Sequence, residues 1–122
     1  MPYRKLVALF GFLALHADFL EVVSAAPPVD FQRQVQPILA EHCTLCHGVD
    51  TDVRKASLRI DVRVDALAGG ESGKAAIVPG KPDDSEMIRR ITSPDPETVM
   101  PPKDHNKPLS DAQIAKIGRA HV

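Results

Sequence analysis

EHCTLCHGVD, residues 41–50, holds both cysteines of the chain, and its reading decides everything around it. Cys43 and Cys46 stand two residues apart, and His47 follows the second directly. Four uses compete for such a trio: a disulfide, a zinc ion, a redox-active dithiol, or a haem. A disulfide across this spacing closes a very small loop and stabilises little. Structural zinc asks for four ligands, usually as a second Cys or His pair. The chain has no other cysteine, and His42 and His105 make no matched pair. A thioredoxin-like dithiol needs a βαβ setting, and strand-rich flanks are missing.

The remaining reading is the C-x-x-C-H attachment signature of c-type haem. Two sulfurs at this spacing reach the two vinyl groups on one porphyrin edge and form thioethers. The histidine next in line swings under the ring and offers a nitrogen to the iron. Covalent attachment fixes the ring, so His47 is delivered as proximal ligand at small entropic cost. A bare CxxC is a weak signal; CxxCH behind a secretory address is a strong one.

Such an address stands at the N-terminus. Arg4 and Lys5 precede an apolar run from Leu6 to Leu15, and Val23-Ser24-Ala25 supplies the small residues of a cleavage site. This predicts a signal peptide over residues 1–25, cut after Ala25, with a mature haem domain over residues 26–116. The competing reading is an uncleaved anchor helped by Phe19, Leu20, Val22 and Val23. Asp18 and Glu21 interrupt it, and the run is short for a bilayer. Either way the functional part is expected outside the cytoplasm, periplasmic or secreted, with membrane contact only if the segment stays.

Composition agrees with a small domain. The chain has 122 residues, with 15 Lys+Arg against 16 Asp+Glu. No basic stripe suggests a nucleic-acid partner. Eleven Pro, seven Gly and only five aromatic residues indicate a loop-rich chain of short helices with a meagre side-chain core. A large apolar cofactor would fill that gap.

A sixth iron ligand is sought among the methionines. Met1 leaves with the signal. Met87, in PDDSEMIRRI, shares a helical face with Ile88 and Ile91 and reads as core. Met100 stands before Pro101 and Pro102, which stiffen an extended segment able to present a side chain. Met100 is therefore the expected distal ligand, with His105 as runner-up.

Elsewhere, Asp30 is placed to cap a first helix with Phe31, Val35, Ile38 and Leu39 as its stripe. Pro37 predicts a kink or a restart, and the helix is expected to run to about Gly48. Leu58 and Ile60 read as extended. Asp61 is placed to cap a short helix closed by Gly69, and Pro79-Gly80 to centre a turn. A helix is expected from about Pro82, with Asp83 and Asp84 in its first turn. Ser110 and Gln113 form a capping box, and Leu109 and Ile114 a hydrophobic staple, for a last helix. Residues 117–122, IGRAHV, read as the translation of a common sequencing adapter, ATC-GGA-AGA-GCA-CAC-GTC. The genuine chain is then expected to end here near Lys116 and to continue in the organism, so Arg119 and His121 carry no functional argument.

Taken in order, VDFQRQVQPILAEHCTLCHG, SLRID, GGESGKAAIVPGKPDDSEMIRRI and MPPKDHNKPLSDAQI resemble the planctomycete-type cytochrome c domain, a class I-like c-type cytochrome. The resemblance covers about residues 29 to 116. It implies a small all-α fold of about three to four short helices and long loops around one haem, the last helix truncated. It also implies haem c on Cys43, Cys46 and His47, with Met100 on the far side of the iron. Such domains usually begin much longer secreted proteins. The expected function is electron transfer, to a redox partner protein or to the absent C-terminal domains. The rival readings are a haem enzyme, or an electron-feeding module for a catalytic domain beyond residue 116, and a structural or interaction module completed by haem. No acid–base pair poised for hydrolysis is visible: Asp83-Asp84 and Asp95-Glu97 read as helix-start and loop charges.

Overall fold

The computed structural model describes residues 26–121; residues 1–25, expected to be a signal segment, lie outside them. The described chain is all-α: four α-helices and two 3₁₀ turns, with no strand among the described residues. Helix α1 spans Gln36–His42, α2 Arg63–Ala68, α3 Glu86–Ile91 and α4 Asp111–Arg119. No helix among the described residues is long and apolar enough to cross a membrane.

The N-terminal helix shows what Pro37 does. Asp30 accepts from the Arg33 amide at 3.1 Å, as a cap should. Pro37 has no N–H to give to the carbonyl one turn back and crowds it. The backbone answers by widening: Phe31–Val35 is a π-turn, and the Gln36 amide reaches Phe31 O. Regular α-geometry then resumes with proline in its first turn. The helix does not run to Gly48 as expected. It stops at His42, and Cys43 leaves helical geometry at φ −131°, ψ −45°. The motif itself is a tight turn, in which Cys46 N and His47 N both donate to Cys43 O, at 3.1 and 2.9 Å.

Two further expectations are corrected. Asp61 does not cap α2, whose N-cap is Val62 without a side-chain bond. Arg59 takes both Asp61 oxygens, at 3.2 and 2.6 Å, and a charged two-point contact outcompetes a single amide. The helix expected from Pro82 is split. Pro82–Asp84 form a 3₁₀ turn, Ser85 is extended, and α3 begins at Glu86. Ser85 is buried because it rivets the preceding Pro79-Gly80 turn. Its hydroxyl accepts from Val78 N at 2.8 Å and donates to Lys81 O at 3.0 Å. The first amides of α3 go to the extended Ala75–Ala76 backbone, Glu86 N to Ala75 O and Met87 N to Ala76 O.

Helix α4 carries the expected capping box, Ser110 with Gln113, complete in both directions. Val35, Ile38, Leu39, Ile60, Ile91 and Ile117 form the buried cluster, so α1, α3, α4 and the extended 58–60 segment meet there. Met87, Ile88, Leu109, Ile114 and Met100 pack around it. The core is small, and a cavity adjoins it.

Candidate haem site

Cys43 and His47 from the motif and Met100 from the Met-Pro-Pro segment line one common space. Its inner part encloses about 740 Å³ of empty volume, partly open to solvent. The walls include Leu58, Ile60, Ala76, Met87 and Ile91, so the surface is mostly apolar with a few charged groups. An adjoining mouth of about 1060 Å³ shares Cys43, His47, Ala56, Ile91 and Met100 with it, and adds Cys46, Leu45, Pro101, Pro102 and His105.

His47 is held by its own loop. The Lys55 amide donates to Cys46 O at 2.7 Å, and the Lys55 carbonyl faces His47 Nδ1 at 3.2 Å. The His47 carbonyl takes the Ile60 amide at 3.0 Å. Arg54 closes the loop by donating to Gly48 O and Val49 O, each at 2.8 Å. Placing the ring proton on Nδ1 leaves Nε2 as a lone pair with no hydrogen-bond partner among the described residues. Burial lowers the His47 pKa from its ordinary value; the Lys55 contact opposes that, and the Arg90 charge adds to it. The ring is thus a neutral, oriented nitrogen donor. Gly48 is required for the turn: a Cβ there would lie 2.2 Å from Thr44 O.

The two cysteines are free thiols in this structure. Cys43 lines both parts of the cavity, and burial pushes its pKa up to about 11, so it stays a neutral thiol. Cys46 lines the mouth only. Leu45, between them, is 62 % exposed.

Met100 arrives by a tethered loop. Asp95 O accepts from Thr98 N and Val99 N, and the Met100 amide donates to Arg90 O at 3.1 Å. That bond fixes the segment before the prolines to the end of α3. Met87 packs on the core, as its sequence suggests, and also lines the inner cavity beside Met100. His105, on the 3₁₀ turn Lys103–His105, reaches the mouth. His42 is occupied elsewhere, with Nδ1 on Lys107 O at 3.0 Å and Nε2 against Gln113 Nε2 at 3.3 Å. No group of three or more His, Cys, Asp or Glu gathers as a metal-binding cluster among the described residues.

A family model described as planctomycete cytochrome C matches residues 43–104, from the first cysteine of the motif to just beyond the Met-Pro-Pro segment. The chain belongs to the planctomycete cytochrome c family. Comparison with curated proteins and with solved structures finds no match. Membership brings covalently bound haem c with its iron, haem-based electron transfer as the activity class, and a typically extracytoplasmic setting.

The residues of this cytochrome fit that group. The cavity is apolar-walled and touches both cysteines and His47. The His47 tautomer set by Lys55 leaves the correct nitrogen available. Glycine at position 70 keeps the wall thin, since a Cβ there would meet Ala56 O at 2.2 Å and Leu58 Cβ at 3.0 Å. Several contributors escape a reading of the sequence. Lys55 acts through its carbonyl, which no side-chain pattern reveals. Arg90 looks like any helix-surface arginine. Gly69-Gly70 is visible as a helix stop but not as a cavity wall.

Proposed function

We propose that this cytochrome is a single-electron carrier domain. In this reading Cys43 and Cys46 hold the haem by thioethers, His47 Nε2 is its proximal ligand and Met100 the distal one. The observation that carries the proposal is the pairing of an oriented, neutral His47 with Met100 around one apolar cavity that both cysteines border. The haem supplies Fe(III)/Fe(II) exchange, one electron taken from or given to a partner, with no atom transferred.

The chain's residues set the terms. Lys55 holds the imidazole in its donor orientation. The Arg90 carbonyl anchors the backbone of Met100, so the thioether is presented with little freedom left to lose. A sulfur ligand and an apolar wall favour the less charged reduced iron and raise the potential. With His47 and Met100 both given to the iron, no open position would be left there for a substrate. Leu45 is exposed beside the mouth, where the cysteine edge of the ring would approach a partner. The setting is extracytoplasmic, with residues 1–25 as the export signal and residues 26–116 as the redox module of a longer protein. The partner is then a separate redox protein or a domain that follows.

The test is the optical spectrum of protein matured with haem, oxidised and reduced, after denaturing removal of free haem. Retained haem with a sharp reduced c-type spectrum is expected. A sulfur-to-iron band in the oxidised protein is expected in wild type and absent from Met100→Ala, which should be high-spin. A low-spin Met100→Ala protein would overturn the methionine assignment. Loss of that low-spin state on adding His105→Ala would move the ligand to His105.

A further inference from the structure

The inner cavity is apolar on most of its surface, but one side of it carries charge. Glu71, Lys74, Glu86 and Arg90 line it. Glu71 accepts from the Ser57 hydroxyl at 2.8 Å. Glu86 is the shared partner of Arg89 and Arg90. Arg89 engages it through both Nε and Nη2, whereas Arg90 uses Nε alone, at 2.9 Å. The terminal nitrogens of Arg90 have no acceptor among the described residues, and its side chain is only 33 % exposed. Lys74 likewise makes no side-chain hydrogen bond among the described residues, yet it lies close enough to Glu86 to help hold that carboxyl down. Lys74 and Arg90 line the cavity beside Glu71 and Glu86, and Glu86 is already engaged at both oxygens by Arg89 from outside it.

Partly buried guanidinium donors facing an apolar slot call for an anion at the edge of an apolar ligand. The Arg90 backbone is also fixed: its carbonyl holds the Met100 amide, and both residues line the same cavity as His47. The loop that brings Lys74 is fixed in turn. Gly70 packs against Ala56 and Leu58, and the Glu71 amide donates to Ala56 O at 2.9 Å. We propose that Arg90, seconded by Lys74, is the receiver of the haem propionate carboxylates, and so sets which side of the cavity the acidic edge of the ring occupies. This rests on the haem reading above. Arg89 is the internal contrast. It pairs with the same Glu86, but its side chain is 49 % exposed and does not line the cavity.

The experiment measures the midpoint potential of matured holoprotein against pH, for wild type, Arg90→Gln, Arg89→Gln, Arg90→Lys and Lys74→Gln. A nearby cation holds a carboxylate pKa down by about 1–3 units. The redox-linked propionate ionisation should therefore move up by about one pH unit or more in Arg90→Gln. Arg89→Gln should leave it nearly in place, Arg90→Lys should restore most of it, and Lys74→Gln should move it the same way by less. Resonance Raman propionate bending modes should shift in Arg90→Gln and not in Arg89→Gln. Equal shifts in Arg89→Gln and Arg90→Gln, or none in Arg90→Gln, would overturn the assignment while covalent haem in wild type upheld the cofactor. If Arg90→Gln fails to mature, Lys74→Gln decides, and an unmoved ionisation there overturns the proposal. Wild type without covalent haem would overturn both readings together.

Discussion

Replacing His42 with alanine should unfasten the haem-motif helix from the far end of the chain. His42 ends α1, immediately before Cys43, and its side chain is only 7 % exposed. The proton on its ring follows from its neighbours. Gln113 Oε1 is taken by Ser110 N at 2.8 Å and Ser110 Oγ at 3.1 Å, so the amide nitrogen of Gln113 must face His42. His42 Nε2 therefore accepts, and Nδ1–H donates to Lys107 O at 3.0 Å. This one ring ties α1 to the segment leaving the Met-Pro-Pro turn and to the first turn of α4. Two neutral hydrogen bonds contribute about 1 kcal/mol each, the longer one less, and the lost packing of the ring adds about as much again. The expected loss is about 2–3 kcal/mol in the guanidinium unfolding of oxidised holoprotein, followed by far-UV circular dichroism and haem absorbance. The sulfur-to-iron band should disappear at lower denaturant than in wild type, because the Met100 loop loses its downstream tether. Gln113→Ala also removes the side-chain half of the capping box, at about 0.5–1 kcal/mol beyond the His42 contact, while the Ser110 hydroxyl still accepts from the amide at position 113. The double variant should cost less than the sum of the singles by about 1 kcal/mol. Strict additivity, or a His42→Ala protein within about 0.5 kcal/mol of wild type, would refute the latch.

Two further substitutions test other parts of the same frame. Gly70→Ala places a methyl 2.2 Å from Ala56 O and forces the 56–58 wall to move, a cost of about 1–3 kcal/mol. Gly73→Ala meets nothing and carries only the strain of its φ of +66°, about 1–2 kcal/mol; thermal unfolding that finds Gly73 the costlier site would refute the close-approach reading. Glu86 is held at about 2, first by the Arg89 hydrogen bond and then by Arg90, against an ordinary 4.5. A depressed carboxyl stabilises fully above its unfolded value and ceases to do so as pH falls through its folded one. The stability gap between wild type and Glu86→Gln, on the order of 1 kcal/mol after solvent screening, should therefore close as pH drops from about 5 to 2. A gap that is flat with pH would count against the pairing.

What the sequence discloses about the fold divides by range. Asp30, the Ser110–Gln113 box, Gly69 after α2 and the Pro79-Gly80 turn act on neighbours within a few residues, and each stands where local rules place it. The misplaced boundaries all lost to a competitor that those rules omit. Asp61 went to Arg59, a charged partner two residues away, rather than to a helix amide. Ser85 left the helix to serve Val78 and Lys81 across the turn before it. Helix α1 stopped short of Gly48 because the haem motif needs its own turn, with Cys43 O accepting from two amides.

The site divides differently, by whether chemistry or register assigns the role. Cys43, Cys46 and His47 are singled out by a spacing with one strong use, and Met100 by the two prolines that follow it; the folded chain brings Cys43, His47 and Met100 to one cavity. Arg89 and Arg90 cannot be ranked from sequence: both sit on α3 within reach of Glu86, at i+3 and i+4. One residue on a helix is a rotation of about 100°, and that rotation turns one guanidinium to solvent and the other to the cavity. Which of the two faces inward depends on how α3 docks, and its first amides are tied to the extended backbone at Ala75 and Ala76, far from it in sequence. Arg90 lines the cavity and Arg89 does not because of how α3 is seated against the rest of the chain, a long-range placement that no spacing within PDDSEMIRRI encodes.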